Sequence, residues 1–152
     1  MKKNNKGFSL VELIVVIAIM AVLVGVLAPT LIGNIEKSRE SKDLQNLDSI
    51  RQAVVTAMSD ENVYSSTVPT TGSVTVASGA NGANLAFNGT YGSLSTEFGT
   101  IITSDTKMTS KSGTSGTLEI HVLSTGAVEV GVYSAGGSTV SAAKNKVSMV
   151  SK

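Results

Sequence analysis

The stretch KGFSLVELIVVIAIMAVLVGVLAPTLI, residues 6–32, decides how this chain is read. From Leu13 to Ala28 every residue is apolar or glycine; Pro29 and Thr30 interrupt the run, and Leu31 and Ile32 resume it. As a helix, Leu13 to Ile32 is roughly 30 Å long, the hydrocarbon thickness of a bilayer. Upstream lie Lys2, Lys3 and Lys6 and no acidic residue. Basic flanks stay in the cytoplasm, so the remainder of the chain is expected on the outer side of the membrane.

Two plainer readings compete. A secretory signal peptide has an apolar region of about 7–15 residues followed by a small-residue cleavage site. Val26-Leu27-Ala28 offers such a site, but Pro29 stands directly behind it and the apolar run is too long. A permanent single-pass anchor satisfies both length and composition. Glu12 argues against each of them. It sits among Phe8, Leu10, Val11, Leu13, Ile14 and Val15, where a carboxylate costs on the order of 2–3 kcal/mol unless it is paired or near the interface. An anchor gains nothing from that acid, even if it snorkels to the headgroups. A functional acid needs a positive partner in an apolar setting, and a backbone amine made by cutting the chain just upstream is the candidate.

Lys6-Gly7-Phe8-Ser9-Leu10-Val11-Glu12-Leu13 resembles the processing motif of the type IV prepilins. That motif is a short basic leader, a Gly, then Phe, with Glu at the fifth position of the mature chain. The apolar helix and a proline near its far end, Pro29, also fit, and the likeness covers roughly residues 1–35. The resemblance implies that a prepilin peptidase cuts between Gly7 and Phe8 and that the amine of Phe8 is methylated. It implies that an assembly platform then draws subunits from the membrane into a homopolymeric helical filament, with the apolar helices in its core. Glu12 is then expected to neutralise the Phe8 amine of a neighbouring subunit, since an opposite buried pair is far cheaper than a lone buried charge. Loss of Lys2, Lys3 and Lys6 would release the helix from the cytoplasmic side.

Pro29 lacks an N–H, and its ring crowds the carbonyl four residues back. That carbonyl belongs to Gly25, itself a weak helix former. A kink or local loosening is therefore expected from Gly25 to Pro29.

Beyond the apolar run, Leu44, Leu47, Ile50, Val54 and Met58 recur at spacings of three or four, which predicts an amphipathic helix with one covered face. Arg39 and Asp43 stand four apart and can pair modestly on it. The helix is expected to end near Ser59, with Asp60 and Glu61 as a solvated end. Ser, Thr and Gly then dominate, with short strands expected at Val74-Thr75-Val76 and Leu85-Ala86-Phe87 and a helical turn at Ser93 to Phe98. The clearest β signal follows. Leu118, Ile120 and Val122 alternate with Glu119, His121 and Leu123, and Val128, Val130 and Val132 with Glu129, Gly131 and Tyr133. The two runs flank Ser124-Thr125-Gly126, which reads as a hairpin. Val147, Met149 and Val150 suggest a last strand. The fold class is α+β: a long N-terminal helix whose outer half is packed by a C-terminal antiparallel sheet. The expected organisation is a leader at 1–7, an apolar helix at 8–35 and a globular head at 36–152. Within the head the helix runs to about 59, a variable connecting region spans about 62–116, and the sheet occupies about 117–152.

The 152 residues carry 12 Lys+Arg and 11 Asp+Glu. Removing the three leader lysines would leave 9 basic residues against 11 acidic, which is no basic patch, and no specific nucleic-acid site is expected. There is no Cys, hence no disulfide, thiol nucleophile or thiolate metal site. Many pilins of Gram-negative bacteria close the C-terminal end with a disulfide, so the resemblance leans toward those of Gram-positive bacteria. His121 alone builds neither a zinc site nor a catalytic set, and its strand position reads as outward and surface-exposed. No phosphate loop or acidic calcium loop is present. Asn88-Gly89-Thr90 fits a glycosylation tripeptide but carries little weight. The reading is therefore of a structural protein without cofactor, metal or catalytic residue. It would be a membrane precursor with its N-terminus in the cytoplasm, then an extracellular type IV pilus subunit serving adhesion or twitching motility. The alternatives are a pseudopilin of a type II secretion or DNA-uptake system and, in another class, a single-pass anchored extracellular binding module.

Overall fold

The computed structural model describes residues 8–80, 83–102, 106–133 and 147–151. The chain divides into two compact units, Met1–Glu36 and Lys37–Lys152. Helix α1, Leu10–Ala57, passes through both.

In the first unit α1 is apolar all round. Its large side chains from Leu10 to Ile32 are exposed, and its most apolar 18-residue window buries nothing within the chain. Such a surface is not stable in water, and the length and composition are those of a membrane-spanning helix.

In the second unit α1 turns amphipathic. The buried positions are Asp43, Leu47, Ile50, Ala53, Val54 and Ala57, a stripe at spacings of three and four. Leu44, expected in that stripe, is 45% exposed. Asp43 occupies the inward position at that turn, and the next residue, about 100° further round the helix, points outward. The helix stops at Ala57; Asp60 and Glu61 are exposed, as expected, and Asp60 is in addition the N-cap of a new helix, α2 (Glu61–Thr67). Its carboxylate accepts from Asn62 N–H at 2.8 Å and Val63 N–H at 3.4 Å, the preferred chemistry at that position.

The sheet has five antiparallel strands in the order β2-β1-β3-β4-β5: β1 Ser73–Gly79, β2 Ala86–Phe87, β3 Thr117–Leu123, β4 Val128–Tyr133 and β5 Val147–Ser151. The expected hairpin is β3–β4, with Ile120 opposite Val130 and Val122 opposite Val128. Its turn places Gly126 at φ +79°, and a Cβ there would meet the Tyr64 hydroxyl at 2.8 Å. Both facts favour glycine. Strands β1 and β2 belong to this same sheet, although the sequence reading began the sheet near residue 117. Pairing of β1 with β3 joins Val74 to Val122 across a long loop, and no local periodicity announces such a partner.

One apolar face results. Leu118, Ile120, Val122, Val130 and Val132 are all 0% exposed and share a cluster with Leu47, Ile50 and Val54 of α1 and with Met58 just past its end. Helix α3, Gly92–Ile101, adds Leu94 and Phe98, and the Phe98 ring meets Phe87 at 5.0 Å. Short helix α4, Lys111–Thr114, precedes β3.

Candidate processing and assembly segment

The residues singled out from the sequence gather at the start of α1. Gly7 lies outside the described residues. Phe8 is 90% exposed and, with Ser9, precedes the first helical turn. Ser9 N–H donates to Glu12 Oε2 at 2.8 Å, and Leu13 N–H donates to Ser9 carbonyl oxygen at 3.2 Å. A helix begins with unpaired N–H groups, and a Glu three residues into it can reach back to take one of them. Ser9-Leu10-Val11-Glu12 is the sequence signature of this half of a capping box. Beyond the expected partner on another chain, Glu12 thus has a local one, which its spacing of three from Ser9 also offers.

The geometry gives Glu12 a defined position. Its carboxylate lies one peptide from Phe8, close to the site where a cut before Phe8 would create an ammonium. Both groups are exposed within the chain. A negative charge in the first turn also complements the helix dipole.

Gly25 has nothing within 4 Å of the position a Cβ would take, and α1 runs unbroken through Gly25 and Pro29. The exposed apolar surface continues past both residues.

His121 corrects the surface reading. It is 2% exposed, with Nε2 2.8 Å from Glu119 Oε2, Nδ1 3.4 Å from Thr75 Oγ1, and its ring 4.7 Å from that of Tyr133 at 66°. Neighbouring strands bring Thr75 and Tyr133 against it, so the second face of β3 is also largely covered. Burial raises the Tyr133 phenol pKa, and the nearby charges of Glu129 and Glu119 raise it further. Among the described residues no group of three or more His, Cys, Asp or Glu could hold a metal ion.

Asp43, whose sequence neighbour for pairing is Arg39, is fully buried. Thr109 N–H donates to both of its oxygens at 3.0 Å, the Thr109 hydroxyl to Oδ1 at 3.0 Å, and Ser110 N–H to Oδ2 at 2.7 Å. Burial pushes this carboxyl up, but the hydrogen bonds from Ser110 and Thr109 outweigh it and hold the group below its ordinary value.

Comparison with known proteins agrees with the segment. The family described as the prokaryotic N-terminal methylation motif matches residues 2–28. Type II secretion system core protein G of Pectobacterium carotovorum subsp. carotovorum is 39% identical over 64 residues, 42% of this chain and 41% of that protein. The proteins of the same name from Aeromonas hydrophila and Vibrio cholerae are 33% identical over 66 residues and 35% identical over 69. The matched parts are 43% and 44% of this chain and 46% and 47% of those proteins. The chain thus spans less than half the length of the curated relatives it matches. No solved structure matches. None of these matches supports the Gram-positive leaning. The motif, the apolar helix and these relatives agree, and together they support a prepilin of the type IV pilin-like class.

Proposed function

We infer that this chain is a structural filament subunit, not an enzyme, cut between Gly7 and Phe8 by a prepilin peptidase and methylated on the Phe8 amine. A membrane assembly platform then takes it from the bilayer into a helical homopolymer. One observation carries the reading: the apolar half of α1 buries none of its side chains within its own chain. Lipid can cover that surface first and the helices of other copies afterwards. Glu12 fits the transfer. Left alone in an apolar filament core it would be expensive, and paired with the Phe8 ammonium of a neighbour it is much less so. The pair would fix register more than it adds stability.

Within this class the relatives favour the pseudopilin reading, because the matched proteins are named as core components of type II secretion systems. A pilus subunit serving adhesion or twitching motility shares the same N-terminal chemistry and the same extracytoplasmic head. A DNA-uptake pseudopilin does so as well. The sheet-on-helix head of the second unit suits any of these filaments.

The test is the mass of the N-terminus of membrane-extracted protein, from cells with and without an active prepilin peptidase. A chain beginning at Phe8 with one methyl group added, only when the peptidase is active, supports the reading. A chain that keeps Met1 or Lys2 in cells with active peptidase overturns it and favours the permanently anchored module. Deletion of the gene then separates the two filament readings: loss of protein secretion identifies a pseudopilin, and loss of surface fibres and twitching identifies a pilus.

A further inference from the structure

Counting from the apolar half of α1, Asp43 is the first buried side chain of the helix; the next is Leu47, one turn on. Among the described residues Asp43 is also the one fully buried carboxylate. Its partners lie in a single short segment before β3. Thr109 and Ser110 donate to it at 2.7–3.0 Å, and Met108, 1% exposed, sits in the core beside them. The segment is shaped around the carboxylate, since a Cβ at Gly113 would stand 2.5 Å from Asp43 Oδ2 and 2.8 Å from Met108 Cβ. One turn earlier on α1, Glu40 Oε1 accepts from the Ser112 hydroxyl at 2.8 Å. The far side of the segment is tied down too. Thr106 Oγ1 accepts from Leu85 N–H at 3.1 Å and lies 3.3 Å from Asn84 Oδ1.

Apolar contacts such as those of Leu47 resist separation but tolerate sliding, because they are non-directional. Hydrogen bonds to a carboxylate are short, directional and about twice as strong as neutral ones, so they resist a shift of register. Their placement at the first gripped turn is where a load arriving along the apolar helix would act first.

We propose that Asp43 and the Met108–Gly113 segment form a clasp that locks α1 to the head, so that a pull on the apolar helix passes into β3 instead of peeling α1 away from Leu47 onward. The clasp stands on the geometry alone; its load-bearing role rests on the filament reading above.

Hydrogen exchange on the full mature chain in detergent micelles tests the clasp, using Asp43→Ala, Asp43→Asn and the milder Ser112→Ala. Asp43→Ala is expected to speed exchange at least about 10-fold over α1 residues 37–47 and over 108–113, while β3 and β4 stay protected. Asp43→Asn keeps one acceptor and falls between that and wild type, and Ser112→Ala loosens only the first of these turns. Unchanged exchange overturns the proposal. So does an equal rise in β3 and β4, which would make Asp43 a contributor to global stability only. In cells, Asp43→Ala should be processed and inserted normally yet give several-fold less sheared filament. Local opening with normal filament yield overturns the load-bearing role and leaves the clasp. Absence of filament from wild type overturns the filament reading instead.

Discussion

Replacing His121 by alanine is expected to destabilise the head by about 2–4 kcal/mol. Three losses add up to this figure. The edge contact with Tyr133, ring centres 4.7 Å apart, is worth roughly 0.5–1.5 kcal/mol. The 2.8 Å bond to Glu119 is worth about 1 kcal/mol net. The remainder is the unfilled space at a site only 2% exposed, which collapses incompletely around alanine. Glu119, with 18% of its side chain exposed, can turn to water and keeps the total below that of a stranded buried charge. Chemical unfolding of the full chain in detergent micelles, followed by tyrosine fluorescence, measures the change as a lower midpoint at constant slope. His121→Phe keeps the ring contact and fills the space, so it should recover more than half of the loss. A surface histidine would give a change within about 0.5 kcal/mol. That result for His121→Ala would refute the packing argument.

Leu47→Ala should cost about 2–5 kcal/mol while Leu44→Ala costs less than about 1 kcal/mol, although the two stand three residues apart; similar losses at both in the same unfolding assay would contradict the inward placement of Asp43. Thr67 Oγ1 is buried without a partner among the described residues. Thr67→Val should therefore be neutral or stabilising by up to about 1–2 kcal/mol, and a lower midpoint would point to a bond that the fold hides. Stability should have an acid limb and an alkaline limb. The Asp43 carboxyl is held below its ordinary 3.8, so its contribution is complete above that value and is lost as pH falls beneath it; Asp43→Asn should flatten this limb. The Tyr133 phenol is held above its ordinary 10.0, so its contribution is complete below that value and is lost as pH rises beyond it; Tyr133→Phe should flatten the alkaline limb. Unfolding midpoints measured across pH check both, and limbs unchanged in the two variants would exclude these groups as the cause.

The sequence by itself determined what depends on near neighbours along the chain. The membrane-length helix follows from an unbroken apolar run, and the candidate processing segment from the coincidence of Gly7, Phe8 and Glu12 ahead of it. Even the Ser9–Glu12 bond was legible, because a capping box is a four-residue pattern. The β3–β4 hairpin and the inward stripe from Leu47 to Met58 follow from side-chain period alone. Tertiary structure decided what depends on partners distant in sequence. Nothing near residue 74 indicates that it pairs with Val122. Strand alternation gives the face on which His121 stands, but not that Thr75 and Tyr133 close over it. Asp43 reads as a surface acid beside Arg39 until Thr109 and Ser110, more than sixty residues on, donate to it and make burial of a charge affordable. Periodicity reports which way a side chain points; only the assembled fold supplies what it meets there.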